Sequence, residues 1–202
     1  MAVKLIAWPY ARFQVEAEAP LPEGPWVGIF NHASAADVAA MAHALDRPVG
    51  FWAKAELGSH PLLGPWLRAC GGVFVRRGQR DEAAFREARD KVRAGLPFAL
   101  APEGTRRHGE GPPPLHTGFV RLALEAGVPV VPFVIAGARR VLPPGRLCPR
   151  GGRPRVRVLR LAPVWLPAQP ADEEHRDTLR ALAEGMMAEV YRRRDQLEEE
   201  MR

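Results

Sequence analysis

Short runs of apolar residues punctuate this chain, and between them the apolar positions recur at helical spacing. The runs are Trp26–Phe30, Val49–Ala53, Val73–Val75, Phe98–Ala101, Val130–Ile135 and Arg155–Leu161, each of strand length. Helices are predicted over Ala35–Leu45, Pro61–Cys70, Asp81–Ala94 and Gly118–Ala126. In the third, Phe85, Ala88 and Val92 share one face, while Thr117 is placed to cap the fourth and Gly127 to end it. Strands alternating with helices can bury both faces of a sheet only as an α/β domain, with a mostly parallel central sheet flanked by helices. The Pro/Gly/Arg-rich stretch Pro143–Pro154 reads as a loop before the last strand. Residues 171–202 read as an amphipathic C-terminal helix, striped by Leu179, Leu182, Met186 and Val190, with a solvated charged run at its end. No repeat or linker divides the chain, so residues 1–202 are expected to form one domain, with 1–25 a possible membrane-contact segment.

Charge narrows the partners. The formal net charge is +6, which calls for a polyanion: nucleic acid, an anionic membrane face, a phosphorylated substrate or an acidic carrier protein. A nucleic-acid reader would interleave arginines with aromatics, whereas here the arginines are dispersed and there are only 2 tyrosines, so no nucleic acid is expected. Cys70 and Cys148 have no metal-ligand or redox spacing and are expected to be free thiols. No apolar stretch is long enough to span a bilayer, and the N-terminal apolar run around Trp8 is too short for a signal-peptide core, so the chain reads as cytosolic.

The residues able to do chemistry lie at the ends of the apolar runs. Asn31-His32-Ala33-Ser34-Ala35-Ala36-Asp37 follows the first run directly. A histidine at a strand end faces the crevice where α/β folds place ligands, and an imidazole titrates near neutrality, as a general base should. His32 and Asp37 can meet only if His32 sits in the turn before the helix, where Asp37 would fix the imidazole tautomer and balance the imidazolium charge. Ser34-x-x-Asp37 also resembles a capping box, and capping is compatible with catalysis. Ala101-Pro102-Glu103-Gly104-Thr105-Arg106-Arg107 follows another run, pairing a glycine that permits close backbone approach with arginines able to grip phosphate. Gly71-Gly72-Val73-Phe74-Val75-Arg76-Arg77 ends a strand in two arginines, and Val128-Pro129-Val130-Val131-Pro132-Phe133 reads as a buried strand. A metal site at His32 and Asp37 would need further ligands that the sequence does not cluster, so no metal is expected.

In order and spacing these blocks resemble the glycerolipid acyltransferase family, of the 1-acyl-sn-glycerol-3-phosphate (lysophosphatidic acid) acyltransferase type. The family's N-H-x-S-x-x-D is matched by Asn31, His32, Ser34 and Asp37. Its G-x-x-F-V/I-x-R is matched by Gly71, Phe74, Val75 and Arg77, and its F-P-E-G-T-R-S by Pro102, Glu103, Gly104, Thr105 and Arg106. Val128, Pro129, Val131 and Pro132 meet the fourth block, and Lys54 lies in the connecting stretch. The resemblance covers about residues 26 to 135. Ala101 and Arg107 depart from the third block, and His116 stands where many members carry lysine.

The resemblance implies an O-acyltransferase of bacterial phospholipid biosynthesis that moves a fatty acyl group from acyl-CoA or acyl carrier protein, as co-substrate, to lysophosphatidic acid. No further cofactor is implied. His32 and Asp37 would be catalytic. Arg77, Glu103, Gly104, Thr105 and Arg106 would form the acceptor pocket, with Asn31, Ser34, Lys54 and Pro129 in support. Backbone N–H groups near Gly104 or Val131 are candidate oxyanion donors. Other acceptors, namely glycerol-3-phosphate, another lysophospholipid or a lyso-aminolipid, fit the same machinery, and a silent lipid-binding homologue is the remaining alternative. Membrane contact would be peripheral, on the inner leaflet, through arginines and exposed Trp8, Trp52 or Trp66.

Overall fold

The computed structural model describes residues 9–76, 80–105, 114–143, 145–146, 148–168 and 175–202. Its sheet comprises β1 (Arg12–Ala17), β2 (Val27–Phe30), β3 (Gly50–Lys54), β4 (Gly72–Val75), β5 (Phe98–Leu100), β6 (Val130–Ala136) and β7 (Arg155–Arg160). They form one seven-stranded sheet in the order β1-β7-β6-β2-β5-β3-β4. All pairings are parallel except that of β6 with β7. This is the expected α/β domain, and β1 is the strand that sequence reading did not anticipate. It takes up residues 12–17 of the segment expected to offer membrane contact, while Trp8 lies outside the described residues.

Burial follows position in the sheet. β6 is central and covered on both faces, so all seven of its residues are buried, as its unbroken apolar run requires. The helices are α1 (Asp37–Ala44), α2 (Ala55–Gly58), α3 (Leu63–Ala69), α4 (Glu82–Arg93), α5 (Gly118–Ala126), α6 (Ala138–Val141) and α7 (Arg176–Glu200). On one face, Ala40 and Met41 of α1 join Phe133, Ile135, Val156 and Val158. On the other, Phe85, Ala88 and Val92 of α4 pack with Phe119 and Leu122 of α5 and with α7. The predicted helical face of α4 is the buried one, and Asp81 caps it by accepting from the Ala84 N–H.

Some local expectations change. The helix predicted over Pro61–Cys70 is present as α3, and a one-turn helix, α2, precedes it where none was predicted. Gly127 ends α5 in the left-handed conformation, but the Thr117 side chain makes no capping bond. Along α7 the buried line is Leu179, Ala183, Met187, Val190 and Leu197, with Leu182 and Met186 flanking it. Trp52 is only partly exposed, packing edge-on against Phe98 at 5.6 Å, which removes it from the candidate membrane anchors.

Candidate active site

The parallel strands β2, β3, β4, β5 and β6 all end at one edge, and there the first and third motifs converge. β2 lies between β5 and β6, so the turn after it is flanked by the ends of both neighbours. Asn31 is buried and forms a reciprocal pair with β6: its Nδ2 donates to the Ile135 carbonyl at 2.9 Å, and its Oδ1 accepts from the Ile135 N–H at 2.8 Å. An amide side chain carries both N–H donors and a carbonyl acceptor, so it can meet the N–H and C=O of a strand residue where the neighbouring strand diverges. Asn31 therefore anchors the turn.

His32 follows, with its Nδ1 2.9 Å from Asp37 Oδ2. The same carboxylate oxygen accepts from the N–H groups of Ala33 at 2.7 Å and Ser34 at 2.8 Å. Asp37 is the first residue of α1 and has no solvent exposure, so three donors converge on one buried oxygen. A carboxylate accepts and cannot donate, so the shared proton sits on Nδ1 and the lone pair on Nε2. The imidazole side chain remains 19% exposed, which leaves that lone pair a route to a ligand.

The capping-box resemblance is half realised. Asp37 reaches back to the Ser34 N–H as the acidic arm of such a box would. Ser34 Oγ, however, accepts from Ala36 N at 3.0 Å and donates to the Leu142 carbonyl at 2.7 Å, and no side chain caps α1. Ser34 thereby ties the turn to the end of α6, and Arg139 of α6 adds a bond to the Ala33 carbonyl.

Glu103 approaches from the turn after β5. Its Oε1 accepts from the His32 N–H at 3.1 Å and from the Tyr191 hydroxyl at 3.0 Å. The side chain is buried, and Oε2 has no partner among the described residues. Burial lifts the Glu103 carboxyl above the usual glutamate range, outweighing the bonds from His32 and Tyr191 that favour the charged form. The native state then binds more protons here than the unfolded chain does. The stabilising contribution is complete below the ordinary glutamate value and is lost as pH rises through the folded one. Urea titrations should therefore show wild type losing stability relative to Glu103→Gln as pH climbs from about 4. A gap that moves the other way would mean that Glu103 stays charged and well paired.

The remaining predicted residues separate. Lys54 ends β3 at the same edge and is exposed, as is Thr105. Gly104 takes φ +67, and a Cβ there would stand 2.8 Å from the His116 ring, so His116 closes over the turn that glycine alone permits. The Gly104 N–H is already bonded to the Ala101 carbonyl, and Val131 lies inside a strand paired on both sides, so neither is placed as an oxyanion donor. Pro129 precedes β6 at the opposite edge of the sheet, away from His32. Arg77 and Arg106 lie outside the described residues. Sequence reading missed Tyr191, which no local motif marks, and the carbonyls of Ile135 and Leu142. Among the described residues no cluster of His, Cys, Asp and Glu is placed to hold a metal ion.

Residues 12–136 match the family described as Acyltransferase. The lyso-ornithine lipid O-acyltransferase of Pseudomonas aeruginosa is 30% identical over 191 residues, covering 84% of this chain and 72% of that protein. A 1-acyl-sn-glycerol-3-phosphate acyltransferase of Chlamydomonas reinhardtii is 31% identical over 129 residues, 63% of this chain and 39% of that protein. The crystal structure of the 1-acyl-sn-glycerophosphate (LPA) acyltransferase of Thermotoga maritima superposes with a TM-score of 0.69 at 25% identity, covering 94% of this chain and 78% of that one.

Proposed function

This chain belongs to the acyltransferase family, and from that premise we propose that it moves a fatty acyl group from acyl-CoA or acyl carrier protein to the hydroxyl of lysophosphatidic acid, giving phosphatidic acid. The observation that carries the reading is the His32–Asp37 pair at 2.9 Å, held at a strand-end mouth with Nε2 directed away from the carboxylate. Nε2 takes the proton of the acceptor hydroxyl as its oxygen attacks the thioester carbonyl. The tetrahedral oxyanion collapses, the C–S bond breaks, and the imidazolium returns the proton to the departing thiolate. Asp37 balances the imidazolium throughout. Glu103 acts by holding the His32 backbone, while Lys54, Arg77 and Arg106 supply cations for phosphate groups of acceptor or donor. No acyl-enzyme is needed: Ser34, the one serine at the site, has its hydroxyl committed to Leu142.

A lyso-aminolipid acceptor is the second reading, favoured because the Pseudomonas aeruginosa relative, named for a lyso-ornithine lipid, aligns with more of this chain than the Chlamydomonas one does. In either case the protein would work on the inner leaflet as a peripheral enzyme. No helix among the described residues is long and apolar enough to cross a membrane.

The test is thiol release from acyl-CoA and from acyl carrier protein, with lysophosphatidic acid, glycerol-3-phosphate or lyso-ornithine lipid supplied in turn and the product weighed by mass spectrometry. Release that depends on lysophosphatidic acid and yields phosphatidic acid is expected. Dependence on lyso-ornithine lipid alone would move the protein to the second reading, and no acceptor-dependent release at all would end both.

A further inference from the structure

Among the described residues four of the nine exposed large apolar side chains cluster in one short segment, while Tyr10, Val15, Val38, Val164 and Trp165 lie elsewhere. Leu57, Leu62, Leu63 and Trp66 all belong to α2, α3 and the link between them. Leu62 is 79% exposed and Trp66 49%, whereas α2 buries no residue and α3 buries only Gly64. A short helix that buries so little of itself has its apolar residues on the wrong side for a core.

The pair is nevertheless firmly held. A Cβ on Gly64 would come within 2.4 Å of the Gly58 carbonyl oxygen, so the two segments touch backbone to backbone. A Cβ on Gly58 would meet the Phe74 ring at 3.0 Å, and the Arg68 guanidinium lies 4.8 Å from the centre of that ring. The contact with β4 runs through Gly58, the Leu67 backbone and Arg68, while Leu57, Leu62, Leu63 and Trp66 remain outside. Lys54 and Arg68 bracket the apolar residues, opposed within the segment only by Glu56, on a chain whose net charge is +6. Because Phe51 pairs with Ala99, the end of β3 comes level with the turn that carries Glu103. The helix pair therefore stands at the edge of the sheet where His32 lies.

We infer that residues 55–69 are the surface by which this protein seats itself on an anionic lipid bilayer, Leu62 and Trp66 entering the headgroup boundary while Lys54 and Arg68 meet the lipid phosphates. The inference rests on the proposed function, in which the acceptor is a bilayer lipid. It adds the face that meets the bilayer and explains why that face is beside the site. Aliphatic and indole groups partition into the interface and cations gain from anionic headgroups, so the two sets of residues act on the same surface.

Flotation with vesicles of phosphatidylethanolamine and phosphatidylglycerol tests it, comparing wild type with the double variant Leu62→Ser/Trp66→Ser. Both positions are exposed, so the variant should unfold at the wild-type urea midpoint. Its vesicle partitioning is expected to fall by about tenfold or more. Turnover of acceptor embedded in vesicles should fall with it, while turnover of a short-chain acceptor dissolved as monomer stays at the wild-type level. Unchanged partitioning of the variant, or no vesicle binding by wild type, overturns the inference. So does a wild-type dimer that the double substitution dissociates, because the surface would then face a second copy. Absence of turnover on the soluble acceptor in both proteins would instead count against the proposed reaction, leaving the flotation result to decide the surface.

Discussion

Replacing His32 with alanine is expected to slow acceptor-dependent thiol release by about 10²–10⁴-fold, the range over which a positioned general base acts, or roughly 3–5 kcal/mol of barrier. Folding should survive. The contact of His32 with Glu103 is made by the backbone N–H, which alanine keeps, and Asp37 retains the N–H groups of Ala33 and Ser34. The lost ring is partly exposed, so water can enter where it stood. Stopped-flow thiol detection, with circular dichroism and urea unfolding as controls, makes the measurement. Added imidazole should restore part of the rate by occupying the vacated space. A variant that keeps more than about a tenth of the rate would exclude His32 as the base.

The second large effect belongs to Asp37→Asn, and it differs in kind. The amide oxygen can still accept the N–H groups of Ala33 and Ser34, but it carries no charge to offset an imidazolium. The amide nitrogen must also occupy the place of the present Oδ1, a buried position without a partner among the described residues. Rate and stability should therefore fall together: about 10²–10⁴-fold in turnover, and about 1–3 kcal/mol in unfolding free energy from the stranded amide and weaker bonds. Single-turnover kinetics at a temperature where the variant is fully folded separate the two. If the rate there equals that of wild type, Asp37 only holds the turn together.

The chemistry was more legible in the sequence than its scaffolding. His32 and Asp37 were readable because a short polar block after an apolar run announces a strand-end turn, and one geometry alone lets side chains five residues apart meet there. The parallel sheet was legible from run length and from the unbroken apolar stretch of β6. β1 was not, because an edge strand buries little and its residues alternate weakly, with Phe13 the main core-facing side chain, stacked on His43. Tyr191 was beyond reach for another reason. It meets Glu103 across 88 positions, and a hydroxyl on a helix face looks the same whether it meets solvent or a buried carboxylate. Asn31 and Pro129, both expected in support of the site, part company in the structure. Asn31 anchors the turn before His32 to β6, while Pro129 only precedes β6 at the far edge.

The pairing of β1 with β7 also sets a timetable. Glu16 and Arg157, which share an ion pair across these strands, are 141 positions apart. At the usual pace of translation, roughly 5–20 residues per second, β1 leaves the ribosome roughly 7 to 28 s before β7, its partner among the described strands, exists. Throughout that interval the nascent chain carries an unpaired strand, open to wrong neighbours. The framework of the turn that holds His32 is complete sooner, because Asn31, Ser34, Asp37, Ile135 and Leu142 have all emerged before β7. The outer seam thus closes well after the framework of the reactive turn can be in place, and α7, which brings Tyr191 to Glu103, follows it.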